Sequence, residues 1–246
     1  MTTTDSAVVR GSLAVLAAAT ATHGTGRGDD IALPKLPGFV ESAFSPLAYE
    51  VAARCLTVCP GDGDRTAVAL VSLAGDTTTA DLASSRMVSG RVHNPLLFMQ
   101  ATANSVLGHM SREFGVTGQM FSLSTLADPL AELLDMAALL LEDPELDRVL
   151  VLGVELGGGG RVAAVRRELA AVYGGSVPDS PDLPASGGLA AAVLLARPGD
   201  AAGAQTSIGS AGPPVGQPGS IQGLFELAAA HAGPRTETET HTHAHQ

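Results

Sequence analysis

The chain has 246 residues, of which 45% are apolar but only 3% aromatic, with no tryptophan. That length allows one large or two small domains, with a core of Ala, Val and Leu that suits helices packed closely on a sheet. The net charge is −11 and Lys35 is the single lysine among 14 basic residues, which argues against nucleic acid and anionic membrane as partners. No apolar run reaches the roughly 18 residues of a membrane-spanning helix. The polar opening, Met1 to Asp5, lacks a basic leader and predicts no signal peptide. The expected compartment is therefore the cytoplasm.

In chain order, residues 7–19 read as a first strand or strand pair, followed by the loop His23-Gly24-Thr25-Gly26-Arg27-Gly28-Asp29. Residues 34–44 are a Pro/Gly loop, and Ser45-Pro46 is expected to open a helix with Ser45 as its N-cap. That helix carries Leu47, Val51, Cys55 and Val58 on one side. Residues 66–73 are continuously apolar, which predicts a strand covered on both faces. Gly75-Asp76 breaks it, residues 77–88 read as a helix, and Asn94-Pro95 starts one long helix over 96–112.

After a loop at 115–118 comes Gln119-Met120-Phe121-Ser122-Leu123-Ser124-Thr125-Leu126-Ala127-Asp128-Pro129, read as a strand, a tight turn and a helix start. Asp128 is the expected cap and Pro129 the expected first residue of a helix over 130–142. A strand at 148–155 follows, then Gly157-Gly158-Gly159-Gly160 and a helix over 162–173. Residues 176–188 are a loop, 189–197 a strand, 206–210 a possible short strand, and 220–231 a last helix. Alternating helices and buried strands predict an α/β protein, with its sheet between helical layers. A single domain is expected over 1–232, with a disordered polar tail at 233–246.

A strand-to-helix turn of this kind often mounts a nucleophile, because the first-turn N–H groups and the helix dipole favour negative charge. Here the tip is Leu126, Ala127 and Asp128, so the mount has no nucleophile. Elsewhere, Cys55 and Cys59 lie four apart on one helix, a poor spacing for a disulfide, and read as buried reduced thiols. The four glycines at 157–160 lack the Lys-Ser/Thr of a phosphate loop, which leaves a connector or a close backbone approach. His109 reads as a packed residue, Asp76, Asp81 and Glu41 form no carboxylate pair, and His241, His243 and His245 belong to the tail. No complete catalytic set, metal site or cofactor site can be assembled.

From Pro95 onward the chain resembles the β-ketoacyl synthases, condensing enzymes of the thiolase fold. Asn94-Pro95-Leu96-Leu97-Phe98 and Asn104-Ser105-Val106-Leu107-Gly108 look like the family's interface helix. Phe114-Gly115-Val116-Thr117-Gly118 looks like the loop before the active-site strand. Val149-Leu150-Val151-Leu152-Gly153-Val154-Glu155 looks like the strand ending in Gly-Gly-x-Glu. Aligning Glu155 places Ala127 at the catalytic cysteine. The resemblance covers residues 7–197 and the N-terminal half of the fold. The second half, with the family's two histidines, would have to fit into residues 198–246, where Gln217 stands at one histidine position. His23-Gly24-Thr25-Gly26 has the letters of a family motif in the wrong place and reads as a loop.

The resemblance thus implies a mixed sheet sandwiched between helices, with the second half largely missing. It implies a chain-length-factor-like subunit of a type II polyketide synthase, of the short kind found in highly reducing, actinobacterial and aryl-polyene systems. Such a subunit pairs with an active ketosynthase, through residues expected to include Asn104, Gln119, Phe121 and Leu123. Leu97, Phe98, Met99 and Thr102 would close the partner's acyl tunnel. The strong negative charge implies that an acidic acyl carrier protein docks on the ketosynthase instead. A stand-alone thiolase-like enzyme using His109 or His23, and a purely structural scaffold, are the alternatives.

Overall fold

A computed structural model describes residues 13–90, 95–126, 128–172, 183–199, 206–208 and 219–232. Its centre is a six-stranded mixed sheet. The strands are β1 (Leu13–His23), β2 (Thr66–Val71), β3 (Met120–Leu123), β4 (Arg148–Leu156), β5 (Gly188–Ala196) and β6 (Thr206–Ile208). They lie in the order β3-β2-β4-β5-β1-β6. The three strands β3, β2 and β4 are parallel, whereas β5 runs antiparallel to both β4 and β1.

Every residue of β2, β4 and β5 is buried. The period of two then sends alternate side chains to opposite faces. Val68, Leu70, Leu150, Leu152, Ala192 and Leu194 face one helical layer, built from α1 (Phe44–Val58) and α4 (Ala103–Phe114). Ala67, Ala69, Val149, Val151, Val193 and Leu195 face the other, built from α5 (Pro129–Leu140) and α7 (Gln222–His231). The sequence-predicted α/β sandwich is thus present. Its small core residues let the helices sit close. A Cβ added to Gly153 in β4 would lie 2.9 Å from the Ile221 side chain and 3.1 Å from that of Leu224.

Several boundaries differ from the sequence reading for local reasons. Strand β1 continues to His23, which still pairs with Gly188; residues 7–12 lie outside the described ones. Helix α1 begins two residues earlier than expected, with fully buried Phe44 in its first turn. Ser45 is therefore inside the helix instead of capping it, and Ser42 Oγ accepts the Phe44 N–H at 3.2 Å. Leu47, Val51 and Cys55 are buried as predicted, but Val58, the helix's final residue, is 77% exposed. The Cys55 thiol is pushed up to about 12 by burial and by neighbouring Cys59, and both cysteines are free thiols.

Helix α2 (Thr77–Val88) follows β2 as expected, with Asp76 as its cap. The predicted single helix over 96–112 is instead two: α3 (Pro95–Gln100) and α4. Between them Thr102 is extended (φ −82°, ψ 131°), and its hydroxyl donates back to the Met99 carbonyl at 2.7 Å. A threonine hydroxyl that bonds a nearby carbonyl competes with the helix ladder and breaks it here. Gly115, left-handed at φ 64°, ends α4. After β4, helix α6 (Gly160–Val172) begins at the last of the four glycines. The predicted tail at 233–246 lies outside the described residues, as does Gln217.

Candidate functional site

The described residues between β3 and α5 form a capped helix start. Asp128 Oδ1 accepts the N–H groups of Leu130 (3.0 Å) and Ala131 (3.2 Å), and Pro129 occupies the first helical position. Thr125 Oγ1 donates to Glu132 Oε1 at 2.7 Å, which ties the turn to the first turn of α5. Ser124 Oγ donates to the Leu73 carbonyl at 2.8 Å, which fixes the end of β3 beside β2. Ala127 lies outside the described residues, but a methyl side chain supplies no thiolate at any geometry.

The histidines stand elsewhere. His23 closes β1, which is four strand positions from β3, or about 19 Å at the usual interstrand spacing. Its Nδ1 is within 2.9 Å of the Ile31 carbonyl. The loop after it is held by Asp30, whose carboxylate accepts from the Thr25 hydroxyl and from the N–H groups of Thr25 and Gly26. These bonds, led by the Thr25 hydroxyl, hold the Asp30 carboxyl below its usual range. His109 packs edge-on against Phe39 and Tyr49, with ring centroids 6.0 and 5.5 Å apart. It is a packing residue between α4, α1 and the loop at 34–43. His241, His243 and His245 lie outside the described residues.

The remaining candidates are structural. Asp76 Oδ1 and Oδ2 take the Thr79 N–H (3.0 Å) and hydroxyl (2.8 Å), and Glu41 pairs with Arg86 at 3.6 Å. Gly157 makes a close backbone approach. Its N–H reaches the Gly187 carbonyl at 2.9 Å, and an added Cβ would sit 2.0 Å from the Pro184 carbonyl oxygen. Among the described residues, no three His, Cys, Asp or Glu side chains converge as a metal site. No described helix is long and apolar enough to cross a membrane.

What the turn does have is an open neighbour. Strand β3 ends the sheet; it pairs with β2 in parallel, from Val68 opposite Met120 to Val71 opposite Leu123. The Val68 N–H bonds the Gln119 carbonyl at 2.8 Å and the Ser72 N–H bonds the Leu123 carbonyl at 3.2 Å. In a parallel ladder, alternate residues turn their backbone groups to the same side. Gln119, Phe121 and Leu123 therefore spend theirs on β2, and Met120 and Ser122 present theirs along the outer edge. No described strand lies there. The four β3 side chains are all half-buried, with Phe121 and Leu123 leaning on the α5 layer and Met120 on the α4 layer. Gln119 and Asn104 are exposed.

Of the four residues expected to gate a tunnel, Leu97 turns into the chain's own interior at 2% exposure, while Phe98 is 40% and Met99 63% exposed. Thr102 is exposed at the break between α3 and α4, where its hydroxyl also meets Ser105 Oγ at 2.8 Å. Sequence reasoning passed over Met87, Val88 and Val40, which are 53%, 87% and 80% exposed, the first two at the end of α2. The available signal was an apolar pair closing an otherwise polar helix.

The fold is similar to that of solved structures of condensing enzymes. A chain from the complex of a ketosynthase with its chain length factor from Xenorhabdus doucetiae superposes with a TM-score of 0.58 at 18% identity, over 91% of this chain and 92% of that one. The fold is that of the ketosynthases. A β-ketoacyl synthase from Burkholderia phymatum gives a TM-score of 0.53 at 16% identity, over 76% of this chain and 59% of its own. A chain from a type II acyl carrier protein bound to its ketosynthase gives 0.54 at 13% identity, over 77% of this chain and 58% of its own. This chain thus spans nearly the whole of the first ketosynthase-fold structure and less than two thirds of the other two. No family model and no curated protein matches the sequence.

Proposed function

We propose that this chain is a non-catalytic, chain-length-factor-like subunit that pairs with an active ketosynthase in type II polyketide biosynthesis. The observation that carries the reading is the placement of β3. A strand that ends a sheet with unpaired backbone groups is a template for another strand. This one leads directly into the emptied nucleophile mount. Support comes from the near-complete overlap with one chain of a complex between a ketosynthase and its chain length factor.

In this reading the partner supplies the cysteine and both histidines. It forms the acyl thioester, decarboxylates the extender and makes the new carbon–carbon bond. This chain supplies volume. Phe98 and Met99, exposed on α3, reach the bottom of the partner's tunnel, with Thr102 beside them. A growing chain stops when its end meets them, because added volume in a packed tunnel costs about 1–3 kcal/mol. Leu97, buried in its own chain, holds α3 in place. An acidic carrier protein docks on the partner, since a subunit at −11 repels it. A highly reducing system, an actinobacterial source and a cytoplasmic location go with the proposal.

The test is reconstitution with the cysteine-bearing ketosynthase encoded nearest this chain. The pair is expected to condense malonyl and acyl carrier thioesters, and the chain alone is not. Phe98→Ala and Met99→Ala are expected to lengthen the product by at least one extender unit. Condensation by the isolated chain would overturn the partner role. Unchanged product length in a pair that still assembles would leave a scaffold only.

A further inference from the structure

We infer that Thr102 and Ser105 are positioning residues whose hydroxyls hold a bend between α3 and α4, and that this bend decides which side chains α3 presents to the partner's acyl tunnel. The tunnel part rests on the pairing proposed above; the bend does not.

The phase of the two helices carries the argument. Helix α4 buries Val106, Leu107 and Met110. On one straight helix of about 3.6 residues per turn, residues seven or eleven apart share a face. Met99 stands seven before Val106 and eleven before Met110, and Leu96 stands eleven before Leu107. Continued straight back from α4, the chain would therefore bury Leu96 and Met99. Leu97, seven before Asn104 and eleven before Gly108, would lie with those exposed residues. The structure has the opposite: Leu97 is 2% exposed, while Leu96 and Met99 are 56% and 63% exposed. The bend shifts the phase of α3 and exchanges its two faces.

A straight helix would bury two large apolar side chains in place of one, so the bend needs a local cause. That cause lies at the Met99 carbonyl. In a straight helix this oxygen accepts the N–H of Ala103, four residues on. Here the Thr102 N–H meets it at 3.2 Å, the Thr102 hydroxyl donates to it at 2.7 Å, and the Ser105 hydroxyl donates to it as well. The two hydroxyl oxygens lie 2.8 Å apart. Hydroxyls that bond nearby carbonyls compete with the helix ladder. Thr102 ends α3 in this way, and Ser105, in the first turn of α4, ties the start of the second helix to the end of the first. With the bend, Leu97 anchors α3 and Met99 stands out beside Phe98. Without it, Met99 withdraws toward Val106, and the gate loses one of its two large side chains.

The test is the alkylation rate of a cysteine at position 99, measured with iodoacetamide and peptide mass spectrometry in Met99→Cys and in Met99→Cys/Thr102→Val/Ser105→Ala. Valine keeps the shape of threonine and removes its donor. Loss of both hydroxyls is expected to slow the reaction about tenfold or more, since position 99 is then reached only through local opening. Met99→Cys/Thr102→Ser keeps the donor and is expected to react as Met99→Cys does. Cys55, buried in α1, serves as the folding control and stays unreactive in a folded variant. If Cys55 reacts when both hydroxyls are lost, Met99→Cys/Ser105→Ala decides instead, and its rate is expected to fall between the other two. An unchanged rate at position 99 in a folded variant would overturn the role of the bend. With the ketosynthase of the proposed pair, Thr102→Val/Ser105→Ala is expected to give the same longer products as Met99→Ala. Slowed alkylation with unchanged product length would refute the tunnel role alone. Alkylation needs no partner, so a failed pairing leaves the test of the bend intact.

Discussion

Ser122→Pro separates the outer edge of β3 from its inner one. The backbone groups of Phe121 and Leu123 are spent on β2, and those of Met120 and Ser122 face outward. Proline at 122 removes one outward N–H and leaves the β2–β3 ladder intact, and edge strands are where proline is tolerated. Phe121, the residue before it, stays in the extended region that proline favours. The isolated chain should therefore melt close to wild type. If a ketosynthase strand pairs along this edge, one of its carbonyls loses its donor. A buried polar group left without a partner costs about 1–3 kcal/mol. At 1.4 kcal/mol per factor of ten, the dissociation constant should rise about 5- to 150-fold. The assay is calorimetric titration of the chain into the ketosynthase, with the melting temperature as a control. Phe121→Pro should behave differently, since it breaks the chain's own ladder and lowers that melting temperature. Unchanged affinity for Ser122→Pro, with Phe121→Pro destabilised as expected, would refute the edge-pairing argument.

Two other expectations concern the chain alone. Cys55 is 1% exposed, with its thiol pushed up to about 12, and Cys59 is half-buried, so a thiol reagent at pH 8 should modify one cysteine in the native state and both in denaturant; two rapid native thiols would contradict the packing of α1 on β5. The Arg65 guanidinium beside Asp147, at 2.5 Å, holds that carboxyl below its usual range, and Arg197 adds to the effect from 3.5 Å. A carboxyl lowered in the folded state stabilises above its unfolded value of about 3.9 and loses that contribution as pH falls through the folded value. The gap in urea midpoint between wild type and Asp147→Asn should thus be present at pH 7 and shrink below pH 4. A gap constant across that range would place the effect in packing instead of charge.

Much of this was legible along the chain, and the reasons differ by residue. The unbroken apolar runs of β2, β4 and β5 implied cover on both faces, and both faces are covered. Asp128-Pro129 announced a capped helix start, because a cap is a local bond between residues two and three apart. That the turn after β3 carries alanine at position 127 needed no structure, since it is a matter of side-chain identity alone. The break at Thr102 was less legible: the apolar pattern over 96–112 suits one helix, and only the hydroxyl bonded to the Met99 carbonyl ends it. Gly157 left open a connector or a close approach, and it is the crossing of the chain at Pro184 and Gly187 that decides for the second.

The sequence by itself determined that no thiol stands between Leu126 and Asp128 and which layers the chain can build, because side-chain identity and short-range periodicity carry both. Tertiary structure alone decided that β3 stands at the end of the described strands. Met-Phe-Ser-Leu reads the same in a central strand as at an edge, and strand order depends on crossovers between segments far apart in sequence. It also decided that Leu97 turns inward while Leu96 and Met99 remain outside. Four adjacent apolar residues have no preferred face until the rest of the chain supplies one side to bury against.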